Sequence, residues 1–270
     1  MKGLLFYDKT GAERNEWFIA RLTQAAAKRG CELKLVIAPD DVEDALTSDF
    51  DFAIVRTICP SLNERLENLN IPTFNNAKTS YIANDKWQTY LFAKSLDMCV
   101  MDTVLIDDAV KNTPLLPYPC VIKSRDGHGG TEVFKVENLN EQLAVIGGLF
   151  EKSLIAQSMC SEPGIDMRVY ALGGKILAAA KRSSRSDFRS NFSLGGSAEI
   201  VIPNDTVLAI VKLVTRELDC DLVGIDFIRH NGEWVLNEIE DVVGTRMLYS
   251  LTDIDAADMY IEYIINKLHH

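Results

Sequence analysis

Two apolar arms meet at an asparagine–glycine pair in DLVGIDFIRHNGEWVLNEIE, residues 221–240, and this segment constrains the chain more than any other. Asn231-Gly232 between runs of aromatic and β-branched residues predicts a hairpin of two antiparallel strands. The returning arm starts with Trp234, Val235 and Leu236 but then carries Glu238, Glu240 and Asp241. Strand side chains alternate faces, so Leu236, Glu238 and Glu240 are expected on one face, with the two carboxylates about 7 Å apart. Such a pair calls for a counter-charge. A two-residue turn at Asn231-Gly232 would set Asp226 opposite Asn237, off that face. A three-residue loop with glycine in the left-handed region, or one bulge, brings Asp226, Glu238 and Glu240 together. Mg²⁺ then suits the site, because it takes oxygen ligands and bridges carboxylates to phosphates. A solvated acidic strand end accounts for the same residues equally well.

The rest of the chain frames that hairpin. Residues 1–75 alternate between strands (GLLFYD, CELKLVIA, DFAIVRT, IPTFN) and helices. The helix NEWFIARLTQAAAKRG has Asn15 as its cap and Gly30 as its stop. This alternation predicts a small parallel sheet with helices on its faces. No GxGxxG follows any strand, so a dinucleotide is not indicated. Residues 76–97 read as one long helix with a break near Asn84-Asp85. After a proline-rich connector, CVIKSRDGHGGTEVFKV reads as strand, glycine loop, strand, and DMRVYALGGKILAAAKR as a hairpin across Gly173-Gly174. The expectation is an α/β front followed by α+β organisation, divided at 1–75, 76–157 and 158–270.

Composition narrows the function. A formal charge of −11 argues against a nucleic-acid or acidic-membrane binder. No apolar run nears the roughly 20 residues of a membrane span, and the N-terminal apolar stretch is too short for a signal peptide. The six scattered cysteines read as reduced, mostly buried thiols of a cytoplasmic protein. Setting aside the terminal His269-His270 pair, His128 and His230 are too few for a histidine-rich zinc site, so any metal is expected to be hard and oxygen-bound.

Lys123 ends an apolar strand and is followed by Gly127, Gly129 and Gly130. Closely spaced glycines let backbone N–H groups turn onto an anion, and a lysine adds a point charge for phosphate. An ordinary hairpin loop has the same look. KRSSRSDFRSN places Lys181, Arg182, Arg185 and Arg189 in one basic run, suited to phosphates or carboxylates.

In this order the pieces resemble the ATP-grasp carboxylate–amine ligases, and among them the RimK-like glutamate ligases. The resemblance is strongest over GIDMRVYALGGKILAAAKRSSRSDFRSNFSLGGSAE, residues 164–199, with its G-x-D-x-R strand, K-R end and F-R-S-N…G-G-S loop. It continues through LVGIDFI and VLNEIE and covers roughly residues 75–265. It implies an ATP-grasp fold in which two α+β subdomains, preceded by the small α/β domain, clasp ATP. Lys86 and Lys123 would contact phosphates, and Gln157, Ser158, Met159 and Cys160 would form the adenine hinge. Asp166 would lie at the sugar, with Lys181, Arg189 and Asn191 toward phosphate and metal. Asp226, Glu238 and Glu240 would hold one or two Mg²⁺ ions, or Mn²⁺ in their place. Arg168, with Arg189, would face the γ-phosphate or the acyl group being activated.

The chain departs from the family's pattern at Glu240, where asparagine is usual. It also lacks the proline of the Asn-x-x-Pro-Gly stretch, having EDVVGTR instead. The implied reaction joins a small-molecule or peptide carboxylate to an amine through an acyl phosphate. A ring-closing ligase acting on a ribosomal peptide precursor and a silent ATP-binding regulator are the alternatives. Assembly into a homo-oligomer is left open.

Overall fold

The computed structural model describes residues 1–127, 129–130, 132–184, 187–189 and 197–269. The front of the molecule runs β1 (Lys2–Asp8), α1 (Lys9–Arg14), α2 (Glu16–Lys28), β2 (Glu32–Ala38), α3 (Val42–Ala45), β3 (Phe52–Val55), α4 (Pro60–Asn68) and β4 (Thr73–Phe74). Its strands form a parallel sheet ordered β2-β1-β3-β4. The unbroken apolar runs of β1 and β3 follow from burial on both faces. Leu4 and Phe6 pack with Leu62 and Leu66, while Leu5 and Tyr7 pack with Phe18 and Leu22. Asn15 does occupy the N-cap of α2, but its side chain does not cap that helix. Its Nδ2 donates instead to Gly11 O at 2.8 Å, closing α1.

Two helices, α5 (Ala77–Ala83) and α6 (Lys86–Ser95), stand where one broken helix was expected. The break has a clear cause. Asp85 accepts from the N–H groups of Trp87 and Gln88, capping α6 and making Lys86 its first residue. Next come β5 (Thr103–Ile106), β6 (Cys120–Ser124), β7 (Val133–Val136), α7 (Leu139–Gly148) and β8 (Leu154–Ser158). These strands make an antiparallel sheet ordered β5-β8-β6-β7.

The last part holds β9 (Ile165–Leu172), β10 (Lys175–Ser183), β11 (Ser197–Val201), α8 (Asp205–Leu218), β12 (Leu222–His230), β13 (Glu233–Glu240), α9 (Arg246–Leu251) and α10 (Ala256–Leu268). Its five-stranded sheet is ordered β11-β10-β9-β12-β13. Helix α8 presents Val207, Val211, Val214 and Leu218 at helical spacing to Phe227, Leu236 and Ile239. Ala83, Ala93 and Met98 join this same cluster, so α5 and α6 are carried by the five-stranded sheet. Helix α10 packs Tyr260, Ile261 and Ile264 against the α2 side of the front core, and Arg29 clamps Asp258 with two bonds of 2.7 and 2.9 Å.

The β12–β13 hairpin resolves the register question through a bulge. Its turn has two residues, both in the left-handed region: Asn231 at φ 52° and Gly232 at φ 78°. Phe227 pairs with Leu236, but Asp226 pairs with Glu238, leaving Asn237 as an extra residue on β13. The three-residue loop is therefore not used. Strict alternation also misplaces Leu236. The bulge turns it onto the face of Phe227 and Ile239, in the core, while Glu238 and Glu240 share the opposite face with Asp226.

Candidate active site

A cleft lies between the central sheet and the five-stranded sheet. Its floor is one face of β10, β9, β12 and β13, laid out in cross-strand rows. Arg182 stands opposite Asp166. Ala180, Arg168, Asp226 and Glu238 make the next row, and Tyr170, Gly224 and Glu240 the one after. Small residues at Ala180 and Gly224 leave room for the charged ones. At Gly224 an added Cβ would lie 2.6 Å from Val243 Cγ2, so glycine lets the chain after β13 fold back over the row.

The charges interlock. Arg168 donates from Nε to Asp226 Oδ1 at 2.8 Å and from Nη2 to Oδ2 at 2.6 Å, and it also bonds Glu240. Arg182 grips Asp166 with bonds of 2.6 and 2.8 Å and reaches Asp226 Oδ2 at 2.9 Å. Burial pushes the Asp226 carboxyl up, but Arg168 and Arg182 outweigh it and hold the group below the usual carboxylate range. Burial also pushes Glu240 up; Arg168 opposes this, while the neighbouring carboxylates Asp226 and Glu238 reinforce it, so its carboxyl sits above its ordinary value.

Two lysines complete the lining, Lys123 from the central sheet and Lys86 from the start of α6. Lys86 is nearly buried, donates to Gly127 O and pairs with Glu238 at 3.2 Å. It is far from the solvated helix lysine that a lone lysine usually is. Lys123 donates to Gln157 Oε1 at 2.6 Å and to Asn237 Oδ1 at 3.2 Å. Among the described residues it has amide oxygens and no carboxylate within hydrogen-bonding distance. Burial is the main cause that lowers its pKa to about 8, with the Glu238 charge opposing and Lys86 assisting. Gly127, Gly129 and Gly130 line the cleft near these lysines, and Ser158 at the end of β8, with Met159 and Cys160 after it, continues its wall. Gly129 and Gly130 have φ of 70° and 77°, values that call for glycine. Arg189 pairs with Asp187 at 2.7 Å and donates from Nη1 to Gly130 O at 2.7 Å, joining the basic loop to the glycine loop.

One predicted residue falls outside. Lys181 points away from the cleft and pairs with Glu199 at 3.3 Å on the surface. Arg182 takes the inward position. A regular ladder from the Gly173-Gly174 turn would set Lys181 opposite Asp166. An extra residue, Leu177, shifts the register of β10 between Ile176 and Ala178 and brings Arg182 there instead. Both hairpins thus owe their inward residues to one bulge each. Asn191 lies outside the described residues.

Among the described residues, five cations and four carboxylates line the cleft: Lys86, Lys123, Arg168, Arg182 and Arg189 against Asp166, Asp226, Glu238 and Glu240. In a chain of formal charge −11 these described residues give the cleft a net positive balance, suited to a polyphosphate. Asp226, Glu238 and Glu240 fit a hard divalent ion in kind and in face, but not in their present pairing. Each is engaged by a protein cation, and among the described residues no group of three or more His, Cys, Asp or Glu is set to hold a metal as it stands. No helix among the described residues is long and apolar enough to cross a membrane.

Architecture and sequence converge on one class, the ATP-dependent carbon–nitrogen ligases built on the ATP-grasp fold. A D-alanine–D-alanine ligase from Bacillus anthracis, solved with ATP, superposes at a TM-score of 0.79 with 16% identity, over 99% of this chain and 97% of that one. A RimK domain ATP-grasp protein from Sphaerobacter thermophilus superposes at 0.72 with 19% identity, over 98% and 100%. The sequence profile of the RimK-like ATP-grasp domain matches residues 83–264, and the chain belongs to that family. A probable alpha-L-glutamate ligase of Pasteurella multocida is 26% identical over 83% of this chain and 74% of its own length. An uncharacterised Mycoplasma pneumoniae protein is 26% identical over 100% and 94%.

Proposed function

We propose that this chain joins a small-molecule or peptide carboxylate to an amine by way of an acyl phosphate, in the manner of the glutamate ligases it resembles. The observation that carries this reading is Lys123, a half-buried ammonium with no carboxylate on it among the described residues, lining the cleft with the glycine loop across from the Arg168–Asp226–Glu238 row. A carboxylate is a poor electrophile. Transfer of the ATP γ-phosphoryl to one of its oxygens releases ADP and leaves an acyl phosphate; the amine then attacks the carbonyl carbon and inorganic phosphate departs.

Each residue has a part in that scheme. Lys123 and Lys86 take phosphate oxygens, and the backbone of Gly127, Gly129 and Gly130 closes over them. Gln157, Ser158, Met159 and Cys160 form the adenine wall, and Asp166 stands by the sugar. Arg168, with Arg189 from the loop side, stabilises charge that develops on the transferring group. A divalent ion held by Asp226, Glu238 and Glu240 would offset phosphate charge. The residues from 76 to 157 and from 158 to 270 act as the two jaws, with 1–75 in front; α5 and α6, although within 76–157, pack on the sheet of the second jaw.

The test is phosphate release from ATP and Mg²⁺ across a panel of amino acids and dipeptides, with amide formation followed by mass spectrometry. Release that depends on one carboxylate and one amine supports the reading. ATP binding without release under every pairing would replace it with a regulator.

A further inference from the structure

Asp226 is held more tightly than a metal-ligating carboxylate needs to be. It accepts three N–H bonds, two of them on Oδ2, and is only 5% exposed. Arg182 is the unusual partner. Its guanidinium spans two carboxylates on neighbouring strands, Asp166 and Asp226, and is itself 5% exposed. An ion arriving alone would have to take the lone pairs these donors occupy, leaving Arg182 with Asp166 only and Arg168 with Glu240 only, each a buried guanidinium with unused donors. A nucleotide phosphate changes the balance, because its oxygens accept from a guanidinium as readily as a carboxylate does.

We infer that Arg182 is a positioning residue that withholds Asp226 from a divalent ion until a nucleotide phosphate is present to take the guanidinium. Metal–carboxylate and guanidinium–phosphate contacts then replace the carboxylate–guanidinium pair in one exchange, so ion and nucleotide bind with strong mutual dependence. The inference rests on reading the cleft as a metal–nucleotide site, and Arg182 is a residue the basic run offered but the sequence did not single out.

The test measures Mn²⁺ binding by the loss of the free-ion EPR signal, with and without ADP. Wild type should bind Mn²⁺ about 100-fold more tightly with ADP than without. Arg182→Gln should tighten Mn²⁺ binding without ADP by on the order of tenfold, the effect of one charge-assisted bond. Arg182→Lys keeps the charge but reaches only one carboxylate, so it should tighten binding as well; it also serves if the glutamine variant fails to fold. Lys181→Gln removes the neighbouring cation, which faces away from the cleft and pairs with Glu199, and should change nothing in the absence of ADP. Equal Mn²⁺ affinity in wild type and both Arg182 variants, or an equal gain in Lys181→Gln, overturns the inference and leaves the cleft reading intact. Mn²⁺ binding in no protein even with ADP overturns the cleft reading and the inference with it.

Discussion

Lys123 and Asn237 meet across the cleft, the lysine Nζ donating to the amide Oδ1 at 3.2 Å. Lys123 belongs to the central sheet, and Asn237 is the extra residue of the bulge in the five-stranded sheet. The residue that interrupts one ladder is thus the one that touches the other wall.

Because Phe227–Leu236 and Asp226–Glu238 already pair on either side of the bulge, deleting Asn237 should leave a regular ladder with every face unchanged. The variant is expected to fold, with a stability loss of about 1 kcal/mol for the missing hydrogen bond. Denaturant unfolding checks this. A collapse of the fold would mean that the bulge itself, and not only its register, is required.

The lowered pKa of Lys123 sets a pH limit on nucleotide binding. The ammonium is present below its pKa of about 8 and is lost as pH rises through it. ATP affinity should therefore fall above about pH 8, and Lys123→Gln should bind weakly with a flat profile over the same range. Calorimetric titrations across pH distinguish the two; a wild-type profile that stays flat to pH 10 would remove Lys123 from the phosphate site.

Arg168→Ala should be costly before it is informative. It strips Asp226 of two bonds and leaves Glu240 without its guanidinium. Breaking such a buried pair costs about 3–5 kcal/mol, and thermal unfolding should show a fall of roughly 10 °C. Arg168→Lys should recover part of that loss. Catalysis is best compared between wild type and the lysine variant, at temperatures where both are folded.

Lys181→Ala should leave ATP affinity unchanged and shift stability by less than about 1 kcal/mol, since its pair with Glu199 is a surface one. Loss of nucleotide binding in this variant would place Lys181 back in the cleft.

Much of the fold was legible because its signals are local. The apolar runs GLLFY and FAIV announce buried parallel strands, and glycine-centred turns announce both hairpins. Lys86, Lys123, Arg168 and Asp226 could be named from type, spacing and resemblance. What stayed hidden is parity. Leu177 and Asn237 carry no mark of being bulge residues, yet each decides which of two adjacent side chains faces inward. Strict alternation alone sets Leu236 beside Glu238, and the resemblance that points to Lys181 does not show that the bulge gives the inward place to Arg182. The counter-charge was hidden too. The acidic row suggested a metal, whereas guanidinium groups from strands far away in sequence already neutralise it, and only the assembled sheet brings them there.

The contacts of Lys86 with Gly127, of Lys123 with Asn237 and of Arg189 with Gly130 all run from one wall of the cleft to the other. Parting the walls breaks all three at once and leaves each cation one partner short, Lys86 with Glu238, Lys123 with Gln157 and Arg189 with Asp187. In kinetic terms, the empty protein resists opening with the groups that later grip its ligand. The walls should part slowly, so ligand capture would be paced by this motion and would respond weakly to viscosity.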